Sequence, residues 1–122
     1  MRTILVVDDS ATVRLQVGRA LIQAGFKVIE AVDGVDGLEK LSQNADVSMI
    51  VCDFNMPRMS GVEFVETLSS RTGPMLPIVM LTTEGNPELI KRALASGAKA
   101  WMTKPFKAEM IVATAQKLAG AA

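Results

Sequence analysis

The sequence predicts a single α/β domain, a doubly wound (βα)5 three-layer sandwich with a parallel sheet between two layers of helices. Short apolar runs alternate five times with segments whose apolar residues recur at helical spacing. This alternation is typical of parallel strands joined by right-handed helical crossovers. A chain of 122 residues that is 49% hydrophobic has the length and composition of one domain with a full core, so we assign residues 1–122 to one domain.

Five strands are predicted from the apolar runs. The run that ends at Asp53 is the clearest, because its β-branched and apolar content is typical of a strand buried on both faces. The first run is expected to be an interior strand of the sheet. The predicted strands are Ile4–Val7, Phe26–Ala31, Val47–Asp53, Pro77–Leu81 and Ala100–Thr103.

The predicted helices follow the strands and are bounded by residues that start or stop a helix. Capping residues, turns and breakers mark the first four, and an apolar face marks the last. These markers are Ser10 and Gly25 for the first helix, the turn Asp33-Gly34 and then Asn44 for the second, Gly61 and Thr72-Gly73-Pro74 for the third, Asn86, Pro87 and Gly97 for the fourth, and Ile111, Ala115 and Leu118 for the fifth.

The composition excludes several kinds of function. The chain has 13 basic and 13 acidic residues, so its net charge is zero and we expect no nucleic-acid partner. It has no histidine, which excludes histidine metal sites and catalysis by Ser-His or Cys-His pairs. Cys52 is the single cysteine, and its apolar neighbours predict a buried, unreactive thiol. No apolar run is long enough to cross a bilayer and no leader pattern is present, so we expect no membrane contact and a cytoplasmic location.

Asp53 is the first candidate for a functional residue. It ends a stiff buried strand, and ligands of open parallel sheets bind beyond the carboxyl ends of the strands. An aspartate in this place can also cap the next helix, but that helix is expected to begin only near Gly61. We therefore predict that Asp53 is a nucleophile or a metal ligand.

Polar side chains stand at the ends of four of the five predicted strands. Asp8 and Asp9 follow the first strand, and Asp53 ends the third. Thr82 follows the fourth strand, and Lys104 follows the fifth. Because the carboxyl ends of parallel strands share one edge of the sheet, these residues are expected to form one small site.

The acidic residues of this site predict a magnesium ion. Three carboxylates in one pocket repel one another, so at least one of their pKa values is expected to be raised. A hard divalent cation relieves this repulsion, and Mg²⁺ takes few protein carboxylates and keeps several waters. We expect Asp9 and Asp53 to bind the ion directly and Asp8 to act through water. A backbone carbonyl near Asn55 completes the predicted site.

Three acids and one lysine suit metal-assisted phosphoryl transfer, which depends mainly on positioning and charge neutralisation. In this interpretation the Asp53 carboxylate attacks the phosphoryl group. Lys104 binds one phosphoryl oxygen through a charge-assisted hydrogen bond, and the Thr82 hydroxyl donates to another.

Several motifs of the chain resemble those of response regulator receiver domains. They are Asp8-Asp9-Ser10, the segment DFNMPRMSG over residues 53–61, Met80-Leu81-Thr82 and Lys104-Pro105-Phe106. The resemblance covers essentially the whole chain and is greatest to single-domain receivers of the chemotaxis type. It implies a flavodoxin-like fold with the strand order 2-1-3-4-5, an order that the periodicity alone does not predict.

The resemblance also implies a function. The chain would be a phosphorylation-activated response regulator of a two-component system, in chemotaxis or in a phosphorelay, and not an enzyme beyond its own phosphoryl transfer and slow autodephosphorylation. Asp53 would accept phosphate from a phosphohistidine of a histidine kinase in a Mg²⁺-dependent reaction. Asp8, Asp9 and Asp53 would bind the magnesium ion. Thr82 would be the switch hydroxyl, and Lys104 would contact the phosphoryl group.

The resemblance further suggests how a signal leaves the site. Trp101 stands where the family usually carries a switchable aromatic residue. We expect Thr82 to move toward the phosphoryl oxygen, so that Trp101 can turn inward and bias two pre-existing states. An effector protein would bind the face around Trp101 and the last two helices. Asn55 and Glu84 lie at positions that tune the lifetime of the phosphate in the family.

Three alternatives fit parts of the pattern. A haloacid-dehalogenase-like phosphatase also uses a strand-end aspartate and Mg²⁺, but it needs a general acid where this chain has Asn55. A flavin-binding module would need hydrogen-bond donors after the first strand, where Asp8 and Asp9 would repel a phosphate. A phosphorylation-independent scaffold would not need the complete set of acids, hydroxyl and lysine.

Overall fold

In the computed structural model, residues 2–71, 75–83 and 87–120 are described, and five strands alternate with five helices along them. The strands are β1 (Thr3–Val7), β2 (Lys27–Ala31), β3 (Val47–Asp53), β4 (Ile78–Thr82) and β5 (Ala100–Thr103). The helices are α1 (Ala11–Gln23), α2 (Gly34–Gln43), α3 (Gly61–Ser69), α4 (Pro87–Ala95) and α5 (Ala108–Leu118).

All five strands are parallel and form one sheet in the order β2-β1-β3-β4-β5. The predicted fold class and strand order are therefore confirmed. Three strands differ from the prediction by one residue at one or both ends. β1 begins at Thr3 and not at Ile4. β2 begins at Lys27 and not at Phe26, whose side chain packs in the core. β4 spans Ile78–Thr82, because Pro77 has no N–H to donate to the sheet.

Helices cover both faces of the sheet and enclose two apolar layers. One layer packs against α1 and α5, and the other packs against α2, α3 and α4. β1 and β4 are buried along their whole length, whereas the edge strands β2 and β5 are partly exposed. The interior strands thus form a rigid frame, and their carboxyl ends share one edge of the sheet. Within the described ranges, none of the helices has the length and apolar character needed to span a bilayer.

Local capping explains several helix boundaries. The Ser10 hydroxyl accepts a hydrogen bond from the Val13 N–H, as predicted, and Ser60 forms a capping box with Glu63. Asp33-Gly34 marks the point where the chain passes from β2 into α2, in agreement with the predicted turn signal. The Asp33 carboxylate caps α2, because the aspartates that favour turns also satisfy the free N–H groups of a helix start.

Two glycines end helices as predicted. Gly25 and Gly97 have positive φ angles of 97° and 117°, a left-handed conformation that glycine adopts at little cost. The predicted breaker Thr72-Gly73-Pro74 and the predicted cap Asn86 lie outside the described residues.

Gly61 brings the start of α3 against the end of β3. Its N–H donates to the carbonyl oxygen of Phe54 at 3.0 Å, which closes the loop between the strand and the helix. A Cβ atom at Gly61 would overlap the backbone carbonyl of Asp53. A side chain at this position would therefore push the helix away from the strand that carries Asp53.

Gly61→Ala is expected to lower the free energy of unfolding by roughly 2–3 kcal/mol, because the added methyl group meets backbone that cannot move aside easily. Gly18→Ala is the matched control. A Cβ at Gly18, inside α1, would lie 3.6 Å from Val28, an ordinary contact, so alanine should be neutral or stabilising by up to about 1 kcal/mol. Urea unfolding of both variants measures the difference, and equal midpoints would contradict this account of Gly61.

Candidate functional site

The ends of β1, β3 and β5 bring three charged side chains into contact. Lys104 Nζ donates to Asp8 Oδ2 at 3.0 Å and to Asp53 Oδ1 at 3.2 Å. The pairing of Val7 with Cys52 places the ends of β1 and β3 side by side, so the two carboxylates are adjacent. Residues separated by up to 96 positions in sequence therefore meet at one edge, as the sequence predicted.

Two of these groups are almost excluded from water. The relative accessibility of Asp8 is 0% and that of Asp53 is 5%. Burial raises the pKa of Asp53, and the negative charge of Asp8 raises it further, while the Lys104 ammonium acts in the opposite direction. The prediction that crowding raises at least one carboxyl pKa is confirmed for Asp53, although burial is the larger cause.

Lys104 is held in its charged form. Burial alone would lower the pKa of this lysine, but the hydrogen bond to Asp8 and the charge of Asp53 outweigh that effect, and the net pKa is raised. The ammonium group is therefore the counter-ion of two buried carboxylates. The sequence predicts a contact between Lys104 and a phosphoryl oxygen, but it does not predict the contact of Lys104 with Asp8.

Asp9 completes a cluster of oxygen donors. One carboxylate oxygen each from Asp8, Asp9 and Asp53 lies within 4.8 Å of the others, and Asp9 is exposed. Both oxygens of Asp8 already accept hydrogen bonds, one from the Ser10 N–H and one from Lys104. The cluster thus combines one accessible and two buried carboxylates, a donor set that fits a hard divalent cation that keeps several waters.

The remaining predicted residues lie around this cluster. Thr82 is the last residue of β4 and is buried, and its carbonyl oxygen accepts a hydrogen bond from the Lys104 N–H at 2.7 Å. Asn55 is exposed in the loop after β3, two residues beyond Asp53. Glu84 lies outside the described residues.

Trp101 lies on β5 with its side chain 44% exposed. In the ladder between β4 and β5, Met80 is paired with Trp101 and Thr82 with Thr103. Because side chains alternate along a strand, Thr82 and Trp101 stand on the same face of the sheet. This register brings the two predicted switch residues onto neighbouring strands.

Sequence reasoning missed Arg14, which supports the start of the site. Its Nη1 donates to the backbone carbonyl of Asp8 at 2.6 Å, and its Nε donates to Glu30 at 3.0 Å. The only signal in the sequence was its place one turn after the cap Ser10, which is too weak to predict a contact. Cys52, by contrast, is fully buried as predicted, and burial raises the pKa of its thiol.

Comparison with known proteins is consistent with this geometry. Residues 4–116 match the family model described as "Response regulator receiver domain". The chain is 38% identical over 110 residues to chemotaxis protein CheY1 of Helicobacter pylori, covering 88% of this chain and 89% of the relative. It is 36% identical over 110 residues to a chemotaxis protein CheY homolog of Campylobacter jejuni, covering 88% of this chain and 85% of the relative.

Solved structures have the same fold. Chemotaxis response regulator CheY4 of Vibrio cholerae superposes with a TM-score of 0.86 at 40% identity, over 97% of this chain and 98% of that one. The receiver domain of NtrX from Brucella abortus superposes with a TM-score of 0.88 at 28% identity, over 98% and 99% of the two chains. The phosphatase alternative finds no support among these relatives.

Asp53→Asn is expected to increase the free energy of unfolding of the metal-free protein at neutral pH. The stability contributed by a carboxyl whose pKa is raised on folding is fully present below the unfolded pKa and is lost as the pH rises through the folded pKa. The gain from the amide should therefore shrink as the pH falls from 7 to about 4, the ordinary pKa of the side chain. Urea unfolding in the presence of a chelator measures the difference at each pH.

Asp46→Asn is the control for this measurement. Asp46 is an exposed carboxylate just before β3, at the opposite edge of the sheet. The Asp46 carboxylate accepts a hydrogen bond from the Thr3 hydroxyl at 3.4 Å, and asparagine keeps an oxygen that can accept it, so this replacement should leave the free energy of unfolding at pH 7 nearly unchanged. An Asp53→Asn variant that is less stable than the wild type at pH 7 would contradict the assigned electrostatics.

Proposed function

Because this chain belongs to the response regulator receiver domain family, we propose that Asp53 is the carboxylate that accepts its phosphoryl group. The chain is a phosphorylation-activated response regulator. The observation that carries the proposal is the ammonium of Lys104, which bridges Asp53 and Asp8 at the edge of the sheet. This lysine gives a negatively charged phosphoryl group a cationic partner beside the accepting oxygen.

The donor in this proposal is a phosphohistidine of a histidine kinase. An Asp53 carboxylate oxygen forms a bond to phosphorus, and the bond from phosphorus to the imidazole nitrogen breaks. The nitrogen keeps the electron pair and takes up a proton. Lys104 exchanges one carboxylate partner for a phosphoryl oxygen, and the Thr82 hydroxyl donates to a second oxygen. The chain does not act as an enzyme on a separate substrate; it catalyses its own phosphorylation and its own slow dephosphorylation.

The divalent cation of the acidic cluster is proposed to be Mg²⁺. Asp9 and Asp53 would bind it directly, Asp8 would act through water, and the backbone carbonyl near Asn55 would complete the set. When bound, this ion neutralises negative charge on the phosphoryl oxygens. Two features support this choice of ion. The donors are carboxylate oxygens, and the exposed Asp9 leaves one side of the site open to the waters that Mg²⁺ retains.

The output of the switch is proposed to be a protein-binding face. Thr82 would move toward the phosphoryl group, and Trp101 would turn inward from its exposed position. The face consists of Trp101 with the exposed Leu94 of α4 and Met110 of α5. Apolar side chains exposed on adjacent elements suit contact with a partner protein. We propose an effector in chemotaxis or in a phosphorelay, and the names of the CheY relatives favour chemotaxis.

The lifetime of the phosphate is proposed to depend on Asn55 and Glu84. Asn55 is exposed and follows Asp53 by two residues, so its side chain can influence access of water to the aspartyl phosphate. Glu84 lies outside the described residues, and its role rests on the family resemblance alone. A cytoplasmic location stays a prediction from the sequence.

The wild-type chain should acquire one phosphoryl group when it is incubated with Mg²⁺ and acetyl phosphate or a phosphorylated histidine kinase. Asp53→Asn should abolish this labelling, because an amide oxygen is not a competent nucleophile. Intact-protein mass spectrometry measures the added group. Asp46→Asn should be labelled like the wild type, since this residue lies at the opposite edge of the sheet. Equal labelling of the Asp53→Asn variant would refute the proposal.

Trp101 fluorescence should change when Mg²⁺ and a beryllium fluoride mimic of the phosphoryl group are added together. The indole is the only one in the chain and moves from an exposed to a less exposed position, so its emission maximum should shift to shorter wavelength. Thr82→Ala should bind the mimic but reduce the shift, because the hydroxyl that couples the two positions is missing. Unchanged emission in the wild type would reject the coupling.

A further inference from the structure

A second charged contact joins the loop between β3 and α3 to the start of α2. Arg58 Nε donates to Asp33 Oδ2 at 2.7 Å, and Arg58 Nη2 donates to Asp33 Oδ1 at 3.0 Å. The Asp33 side chain is 4% exposed, whereas that of Arg58 is 59% exposed. The guanidinium therefore covers a carboxylate that has little contact with water in the folded domain.

Arg58 makes this contact from an unusual backbone conformation. Its φ angle is 64°, in the left-handed region that favours glycine. A residue other than glycine in this region costs energy and persists where its surroundings hold it. The two parallel hydrogen bonds to Asp33 supply such a constraint, because a two-point contact fixes the relative orientation of guanidinium and carboxylate more closely than a single hydrogen bond does.

Asp33 is itself fixed at the start of α2. Its Oδ1 also accepts the Asp36 N–H at 2.9 Å, which caps the helix. The hydrogen bond from Arg58 lowers the pKa of Asp33, so the carboxylate stays ionised and the pair stays charged. The tip of the β3–α3 loop is thus tied to a rigid helix terminus.

The residues next to this pair add a packing contact. A Cβ atom at Gly34 would lie 2.7–2.9 Å from three side-chain atoms of Met59, so the absence of a side chain at Gly34 makes room for Met59. At its base the same loop is closed by the hydrogen bond from Gly61 to Phe54. Asn55 lies between these two anchors.

We propose that the Asp33–Arg58 pair is a positioning device that holds the β3–α3 loop so that the backbone at Asn55 is in place for the divalent cation. This inference rests on the proposed magnesium site and concerns residues that touch neither the ion nor the phosphoryl group. The pair acts by restricting the loop, and without it the loop must be ordered when the ion binds.

The direction in which each variant changes the affinity for Mg²⁺ separates positioning from a through-space electrostatic effect. Arg58 is cationic, so a through-space influence would make its removal strengthen Mg²⁺ binding, while neutralising Asp33 would weaken it. Positioning predicts that both changes weaken binding. It also predicts that the double variant is no weaker than the weaker single variant, because the two residues act as one unit.

Isothermal titration calorimetry with MgCl₂ tests the proposal on the full chain. Arg58→Ala and Asp33→Asn should each raise the Kd for Mg²⁺ by about threefold to tenfold, at or below the usual effect of losing a supporting group around a metal site. Arg58→Lys should give an intermediate Kd, since it keeps the charge but loses the two-point contact. The Asp33→Asn, Arg58→Ala double variant should match the weaker single variant.

Two further variants test whether backbone strain, or the loss of any arginine–carboxylate pair, could explain a change in Mg²⁺ binding. Arg58→Gly tolerates the left-handed backbone, so weak Mg²⁺ binding by this variant would exclude backbone strain as the cause. Glu66→Gln disrupts a two-point arginine pair elsewhere in the domain, between Glu66 and Arg92, and should leave the Kd unchanged. Circular dichroism of each variant verifies that the chain is folded.

The outcomes separate the positioning role of the Asp33–Arg58 pair from the existence of the magnesium site. If Arg58→Ala and Arg58→Gly bind Mg²⁺ like the wild type or more tightly, the positioning role is wrong while the magnesium site stands. If the wild type and Glu66→Gln do not bind Mg²⁺ at all, the magnesium site itself is wrong, and this inference falls with it.

Discussion

Two carboxylates almost excluded from water share the ammonium group of Lys104. The arrangement of the strands places this cation where it can partly compensate both buried negative charges. A buried carboxylate without a partner costs several kcal/mol, a large fraction of the stability of a domain of this size. One lysine cannot fully neutralise two such groups together with the nearby Asp9. Burial, and after it the charge of Asp8, raise the pKa of Asp53 in spite of the lysine. The site is therefore short of positive charge in its metal-free form, which is the physical reason to expect a cation there.

The parallel sheet supplies the rigidity that such a site requires. β1 and β3 are interior strands, covered by helices on both faces, so Asp8 and Asp53 leave the sheet from backbone that is held by hydrogen bonds on both sides. Gly61 then allows α3 to start directly against the end of β3. The loops, in contrast, need individual contacts to be ordered. The pair of Asp33 with Arg58 is such a contact, and it compensates for a backbone conformation that glycine would adopt freely.

Most of the fold and the centre of the site could be predicted from the sequence, because both depend on local patterns. Apolar runs identified the strands, and polar residues at the strand ends identified Asp8, Asp53 and Lys104. Interactions that depend on three-dimensional placement could not be predicted. Asp33 lies at the predicted turn and also caps α2, a second role that the composition of Asp33-Gly34 alone does not indicate. The contacts of Arg14 and Arg58 join segments that the sequence does not relate, since long basic side chains on a predicted surface rarely indicate a partner.

The position of β5 explains how a change at the site can reach the surface of the protein. Thr82 ends an interior strand, and its neighbour in the sheet is the edge strand that carries Trp101. The two side chains lie on the same face of the sheet, so the proposed displacement of the hydroxyl would need to cross only one pair of strands. An edge strand has no further strand to hold it, and alternate residues of β5 are already exposed. Rearrangement at this edge therefore disturbs little of the core, whereas a comparable movement in β1 or β3 would disrupt both apolar layers. The same topology that fixes the acidic cluster thus leaves the adjoining edge free to change.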